Sequence, residues 1–277
     1  MLAERQKGII RMQLPTLVEL LEAGVHFGHE TSRWNPKMQS YIFTTRNRVH
    51  VLDLQQTLTA LAAAAAFARQ VVAKGGVILF VGTKRQARSI VKFHAERCGM
   101  LYVTTRWLGG TFTNFETILK SITKLDALRM KRSAPEAEVL TKKERAVIHN
   151  EIRRLEEVLE GLKGLRKVPE AVFLVGAHDE KIAAKEAQRK RIPIIALVDT
   201  NANPEEISYP IPANDDAVRS IDLLVRVIAD AVLEGRQDLT AAQSADAASG
   251  RTTVKPVPES GMGADASVAG SPPRPTL

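Results

Sequence analysis

The sequence predicts an α/β protein built on a parallel sheet with helices on both faces. Three observations lead there. Val77-Ile78-Leu79-Phe80-Val81 and Ala171-Val172-Phe173-Leu174-Val175 are unbroken apolar runs, as strands buried on both faces require. Each is followed by a helix-length segment, Lys84 to Arg97 and Glu180 to Arg189. A further apolar run, Pro193 to Val198, repeats the unit before a closing helix from about Asp215 to Leu233. Alternation of this kind implies right-handed crossovers and a doubly wound sheet.

Taken in order, the elements have local reasons. Leu17 to Ala23 reads as a short helix, with Thr16 as N-cap and Gly24 just past its end. Tyr41-Ile42-Phe43 and Val49-His50-Val51-Leu52 read as a β-hairpin with an Arg46-Asn47-Arg48 tip. Thr57 to Ala73 is Ala-rich, with Leu58, Leu61, Ala65 and Val72 on one helical face. Leu101 to Val103 is a short strand, and Ile211 ends another.

Between Val103 and Ala171 lies a long insertion without strand signal. Phe112, Phe115, Leu119 and Ile122 recur at heptad spacing, as do Ile148, Ile152, Leu155, Leu159 and Leu162. A Ser133-Ala134-Pro135 break separates the two arms. The expectation is a coiled-coil hairpin over 112–168, inserted into a sheet domain of 12–111 and 169–237. Residues 238–277 contain no aromatic residue and are rich in Ala, Ser, Gly and Pro, which predicts a disordered tail. Met1 to Arg11 reads as an extension, and Met12 is a second candidate start.

Composition narrows the function. The 277 residues carry 39 Lys+Arg against 31 Asp+Glu, a formal charge of +8. The tail is slightly acidic, so the excess sits on the rest and points to a polyanionic partner. A single cysteine, Cys98, excludes a disulfide framework and suits a reducing compartment. The longest uncharged run, Leu54 to Ala68, is too short and polar to span a bilayer. No secretory signal is visible at the N-terminus. Cytoplasmic residence is the expectation.

No catalytic constellation stands out. Gly82-Thr83-Lys84-Arg85 follows a strand but is neither a P-loop nor a dinucleotide fingerprint. Read as a helix start with Thr83 as N-cap, it places Lys84, Arg85 and Arg88 where cations oppose the helix dipole unless an anion is held. The alternative function is a nucleotide-binding α/β enzyme using this turn. Thr105-Arg106-Trp107-Leu108-Gly109-Gly110 offers a charge beside an aromatic face, or else a tight turn over a buried Trp107. Arg33, Trp34 and Lys37 interleave charge and aromatic character in a loop, as contact with unstacked RNA bases requires. Lys131, Arg132, Lys142, Lys143 and Arg145 gather at the predicted hairpin tip. His178, Asp179 and Asp199 follow strands and could meet around a metal, with His178 and Asp199 the candidates. No helical His pair supports that reading, so no cofactor is expected.

These motifs together resemble a known family. Ala23-Gly24-Val25-His26-Phe27-Gly28-His29, Arg33-Trp34-Asn35-Pro36-Lys37-Met38, Gly82-Thr83-Lys84-Arg85 and Arg106-Trp107-Leu108-Gly109-Gly110 are similar, in order, to the bacterial small-subunit ribosomal protein two family. Leu140-Thr141-Lys142-Lys143-Glu144, Asp199-Thr200-Asn201, Pro204 and Ile211-Pro212-Ala213-Asn214-Asp215-Asp216-Ala217 extend the match. It covers about Met12 to Asp238. The resemblance implies a flavodoxin-like sheet domain with a coiled-coil hairpin and no enzymatic activity. It implies a ribosome-bound protein that contacts 16S rRNA near the head–body junction. It also implies neighbouring small-subunit proteins, including the mRNA-capturing ribosomal protein one, and no homo-oligomer. The RNA contacts expected are Arg33, Trp34, Lys37, Arg46, Arg48, Lys84, Arg85, Arg88, Arg106 and Trp107 on the sheet domain. On the hairpin they are Lys131, Arg132, Lys142, Lys143 and Arg145.

Overall fold

A computed structural model describes residues 12–133 and 141–248. Its centre is a five-stranded parallel sheet: β4 (Ile78–Val81), β5 (Leu101–Val103), β6 (Ala171–Val175), β7 (Ile194–Val198) and β8 (Tyr209–Pro212), ordered β5-β4-β6-β7-β8. β1 (Phe27–Glu30), β2 (Ile42–Arg46) and β3 (Val49–Leu52) form a separate antiparallel sheet ordered β1-β3-β2. The β2–β3 turn is Asn47-Arg48, both at positive φ, as a two-residue turn of the primed type demands. β8 carries Pro210 and Pro212, which lack a ladder donor, and it lies at the sheet edge where that is tolerated.

The period-2 alternation of each strand divides the core in two. Ile78, Phe80, Phe173, Val175, Ile195, Leu197 and Ile211 face one side. There they meet the helices α2 (Leu54–Ala73), α3 (Arg88–Cys98) and α7 (Val218–Ala248). Leu79, Val81, Val172, Leu174, Ile194, Ala196 and Val198 face the other, against α6 (Lys181–Arg189), Trp107 and Phe112. Both sets are almost fully buried, which is why the runs read as continuous apolar sequence. Ala64, Ala65 and Ala68 of α2 are buried, and their small side chains let that helix lie close to its neighbours.

Several boundaries differ from the sequence reading. α1 (Leu17–Glu22) has the expected Thr16 cap, completed by a reciprocal bond from Glu19. α2 begins three residues earlier than the periodicity indicated, because the Asp53 side chain accepts the Gln55 amide and starts the helix there. α3 begins at Arg88, not Lys84; its N-cap is Ala87, and Thr83 caps nothing. α7 runs on to Ala248, so 238–248 are helical where a disordered tail was expected. The remainder of the tail, Met1 to Arg11 and the residues around Pro135 lie outside the described residues. A compact unit ends at Ala241, and Ala242–Ala248 begin a second.

α4 (Phe115–Ser133) and α5 (Lys142–Leu159) lie between β5 and β6 and pack on each other. Thr141 caps α5 and its bonds depress the Glu144 carboxyl pKa; Lys131 of α4 adds a smaller lowering. The end of α4 is therefore near the start of α5. Lys124–Glu151 and Arg129–Glu156 ion pairs cross between the helices. The α4 seam is Ile118, Ile122 and Leu125 rather than the predicted Leu119, and Phe112 precedes the helix. Ile152 and Leu159 form the buried side of α5. Ile118→Ala should therefore cost about 2–4 kcal/mol in a chemical-denaturation midpoint, and Leu119→Ala clearly less; equal losses would contradict the assigned seam.

Candidate nucleic-acid interface

The C-terminal ends of the parallel strands carry the densest polar chemistry. Strand order reverses between β4 and β6, and a doubly wound sheet places its crevice there. A cavity of about 530 Å³ occupies that position, lined among others by His29, Arg33, Lys84, Arg85, His178 and Asp216.

Lys84 leaves the end of β4 and turns inward. Its Nζ is 2.6 Å from Asp215 Oδ1, 2.9 Å from Asp216 Oδ1 and 3.0 Å from Asp179 Oδ2. Burial opposes the charge on Lys84, but attraction to Asp215 and the three hydrogen bonds outweigh it and raise its pKa. Asp215 is wholly buried; burial and the neighbouring Asp199 push its carboxyl up to about 7. Gly176, at φ +90, makes the arrangement possible, since a Cβ there would sit 2.8 Å from Asp215 Oδ2 and 3.2 Å from Lys84 Cε. The Thr83 amide donates to Glu180 Oε1 at 2.7 Å. Burial raises the Glu180 pKa against the pull of that bond.

His29, at the end of β1, completes the cluster. Its Nδ1 is 3.0 Å from Asp199 Oδ1, and this contact raises the imidazole pKa against the effect of burial. Asp199 also accepts the amide and hydroxyl of Thr200, whose hydroxyl accepts the His29 amide at 2.9 Å. Gly28 has no room for a side chain: a Cβ would lie 2.5 Å from Thr200 Cγ2. Of the two metal candidates, Asp199 falls in a group with His29 and Asp215 whose ligand atoms lie within 4.8 Å of one another, and His178 is exposed outside that group. One imidazole and two carboxylates suit a divalent cation in donor type, and Asp215 Oδ2 is buried without a hydrogen-bond partner. Lys84 already supplies positive charge at the same carboxylate.

The structure sorts the expected RNA-contact residues into two groups. Arg33, Arg46, Arg48, Arg85, Arg106, Lys131, Arg132, Lys142, Lys143 and Arg145 are exposed, and none is in an ion pair among the described residues. Others are engaged internally. Lys84 is held by carboxylates and Lys37 pairs with Glu205. Arg88 donates to the Thr83 carbonyl at 2.9 Å. Trp34 is half-buried against His50, with ring centroids 5.2 Å apart. Trp107 is 7% exposed, packs edge-on against Phe112, and donates its indole N–H to Glu186. It has no free face for a base, so the buried-turn reading of this loop is the correct one. Sequence reasoning missed His29, Asp215, Glu180 and Glu186. The only signal for the first two was their place in the Gly24-to-His29 and Ile211-to-Ala217 motifs.

With this geometry in place, a family model described as Ribosomal protein S2 matches residues 20–235. The chain belongs to that family. It is a structural component of the small ribosomal subunit, acts in translation, and is ribosome-bound in the cytoplasm. Among the described residues no helix is long and apolar enough to cross a membrane.

Lys84→Ala strips three carboxylates of their cation and should cost about 3 kcal/mol at pH 8. The loss should shrink near pH 5, where Asp215 takes up a proton; a loss independent of pH in denaturant titrations would contradict the assignment. Glu186 behaves oppositely. Burial works against its charge, but the Gly110 and Phe112 amides outweigh it and lower its pKa from 4.5. Its contribution is present above that value and disappears as pH falls through the depressed folded-state pKa. Acid unfolding of Glu186→Gln should show a shallower pH dependence than the unsubstituted protein below about pH 4.5.

Proposed function

We propose that the chain anchors to 16S rRNA through its exposed, unpaired cations, near the junction of head and body of the small subunit. One group comprises Arg33, Arg46, Arg48, Arg85 and Arg106 on the sheet body. The other comprises Lys131, Arg132, Lys142, Lys143 and Arg145 on the helical arm over 112–168. The observation that carries the reading is that these exposed cations have no carboxylate partner among the described residues, whereas Lys84, beside Arg33 and Arg85 at the strand-end cavity, is held by Asp179, Asp215 and Asp216. Free cations displace counterions from phosphates, and folded RNA is read by shape and backbone rather than by a base code. Trp34 remains a candidate for stacking. Through the same position on the subunit the protein helps dock ribosomal protein one, the mRNA-capturing neighbour.

A nucleotide-binding enzyme at Gly82-Thr83-Lys84 fits less well. Phosphate cradles use free helix N-terminal amides and an available lysine. Here the Thr83 amide is taken by Glu180, Lys84 is surrounded by carboxylates, and α3 starts beyond both.

The test is the salt dependence of binding to 16S rRNA. Replacing Lys142, Lys143 and Arg145 together with Ala should weaken binding and flatten the log K against log salt slope by roughly 0.7–0.9 per lost phosphate contact. An unchanged slope would remove the arm from the interface.

A further inference from the structure

We infer that Glu186 is a positioning residue that sets the angle of the α4–α5 arm to the sheet, and so the placement of its tip cations. The inference rests on the rRNA reading above. Glu186 lies on α6 among the buried Ala183, Ala184 and Ala187 and is itself 6% exposed. Its Oε1 accepts the Trp107 indole N–H at 3.2 Å and the Gly110 amide at 2.7 Å. Its Oε2 accepts the Phe112 amide at 3.0 Å, with the Thr113 amide and hydroxyl each at 3.2 Å. All five donors belong to the segment joining β5 to α4.

Trp107, Thr111 and Phe112 of that segment are buried, but the turn between Trp107 and Phe112 runs through Gly109 and Gly110, the latter at φ +94, and glycine has more backbone freedom than any other residue. A Cβ on Gly109 would meet nothing within 4 Å, so the turn itself is held by hydrogen bonds rather than by packing. One carboxylate offers about four lone-pair sites, and here all are used. The Phe112 and Thr113 amides lie just before the first turn of α4, where a negative charge is also favoured by the helix dipole. The other root of the arm is held differently. Gly161 packs so closely on Tyr102 that a Cβ would fall 2.1 Å from its carbonyl oxygen, and Leu159, Leu162 and Leu165 are buried beside it. One root of the arm is therefore held by apolar contact, while at the other the buried Trp107 and Phe112 are joined through the Glu186 carboxylate.

Leverage makes the root matter. α4 has 19 residues, about 28 Å of helix. A rotation of about 10° at its base carries the tip about 5 Å, beyond the length of a direct hydrogen bond. Cations so displaced keep their charge and can still reach the same phosphates, but binding must first return the arm to its position, which costs affinity without changing the contacts of the final complex.

The experiment places spin labels at His149→Cys on α5 and Gln70→Cys on α2, both exposed positions; Cys98 is buried and stays unlabelled. Pulsed electron resonance then gives the arm-to-body distance, and binding to 16S rRNA is titrated against salt. Glu186→Gln turns an amide NH2 towards N–H donors. It should shift or broaden the distance by several ångströms and weaken binding about tenfold, with the salt slope unchanged. A distance distribution identical to that of the parent would overturn the proposal, as would a slope that falls together with affinity. If Glu186→Gln does not fold, Trp107→Phe and Thr113→Val each remove one donor. Each should give a smaller shift of the same kind, and an unchanged distance in both would overturn the proposal. Failure of the parent to bind rRNA would instead overturn the RNA reading, while the distances still decide the role of Glu186.

Discussion

One ammonium group organises the functional end of this fold. Lys84 comes from the end of β4, Asp179 from the loop after β6, and Asp215 and Asp216 from the link between β8 and α7. Without Lys84, three carboxylates would face one another at the mouth of the sheet, one of them wholly buried. Charges taken out of water need paired partners, and breaking such a set leaves a bare buried charge. The contact therefore ties together strand ends far apart in sequence. At the crevice where a doubly wound sheet ordinarily binds a nucleotide, it also engages the lysine with the protein's own carboxylates.

The same contact explains the distribution of positive charge. A formal excess of +8 produces a field only where cations are not already matched. Lys37, Lys84, Arg97 and Arg129 are matched within the protein. Arg33 and Arg85 border the strand-end cavity, Arg106 is exposed after β5, and the arm carries the other exposed group. Under the proposed reading, two separated basic surfaces, one on the sheet body and one on the arm, suit a folded RNA partner better than a small anion, because their spacing would supply the shape recognition.

Much of the fold was legible in the sequence because burial on both faces leaves an unmistakable signature. β4, β6 and β7 are apolar at every position and rich in β-branched residues, which separates them from the Ala-rich apolar run of α2. Boundaries were less legible where a side chain decided them. Asp53 extends α2 backwards by capping it, and nothing in the hydrophobic period shows that. The Lys84-Arg85 pair looked like a helix start because the carboxylate partners of Lys84 lie about 95 to 132 residues further along the chain. The α4 seam shifted from Leu119 to Ile118 because both positions are apolar and only packing chooses between them. Trp107 was ambiguous for the same reason: an arginine–tryptophan pair reads alike whether the ring meets a base or a buried Glu186. Along α7, composition suggested disorder at 238–248, yet the residues continue a helix already begun on the core.

The account stands on the chain being an RNA-anchored part of the small subunit. The most direct measurement is sedimentation of a cell lysate through a sucrose gradient at low magnesium, which separates the subunits, with detection of the protein across fractions. The account predicts that it travels with the small subunit and is released only as salt is raised. A protein that stays at the top of the gradient at low salt would contradict it.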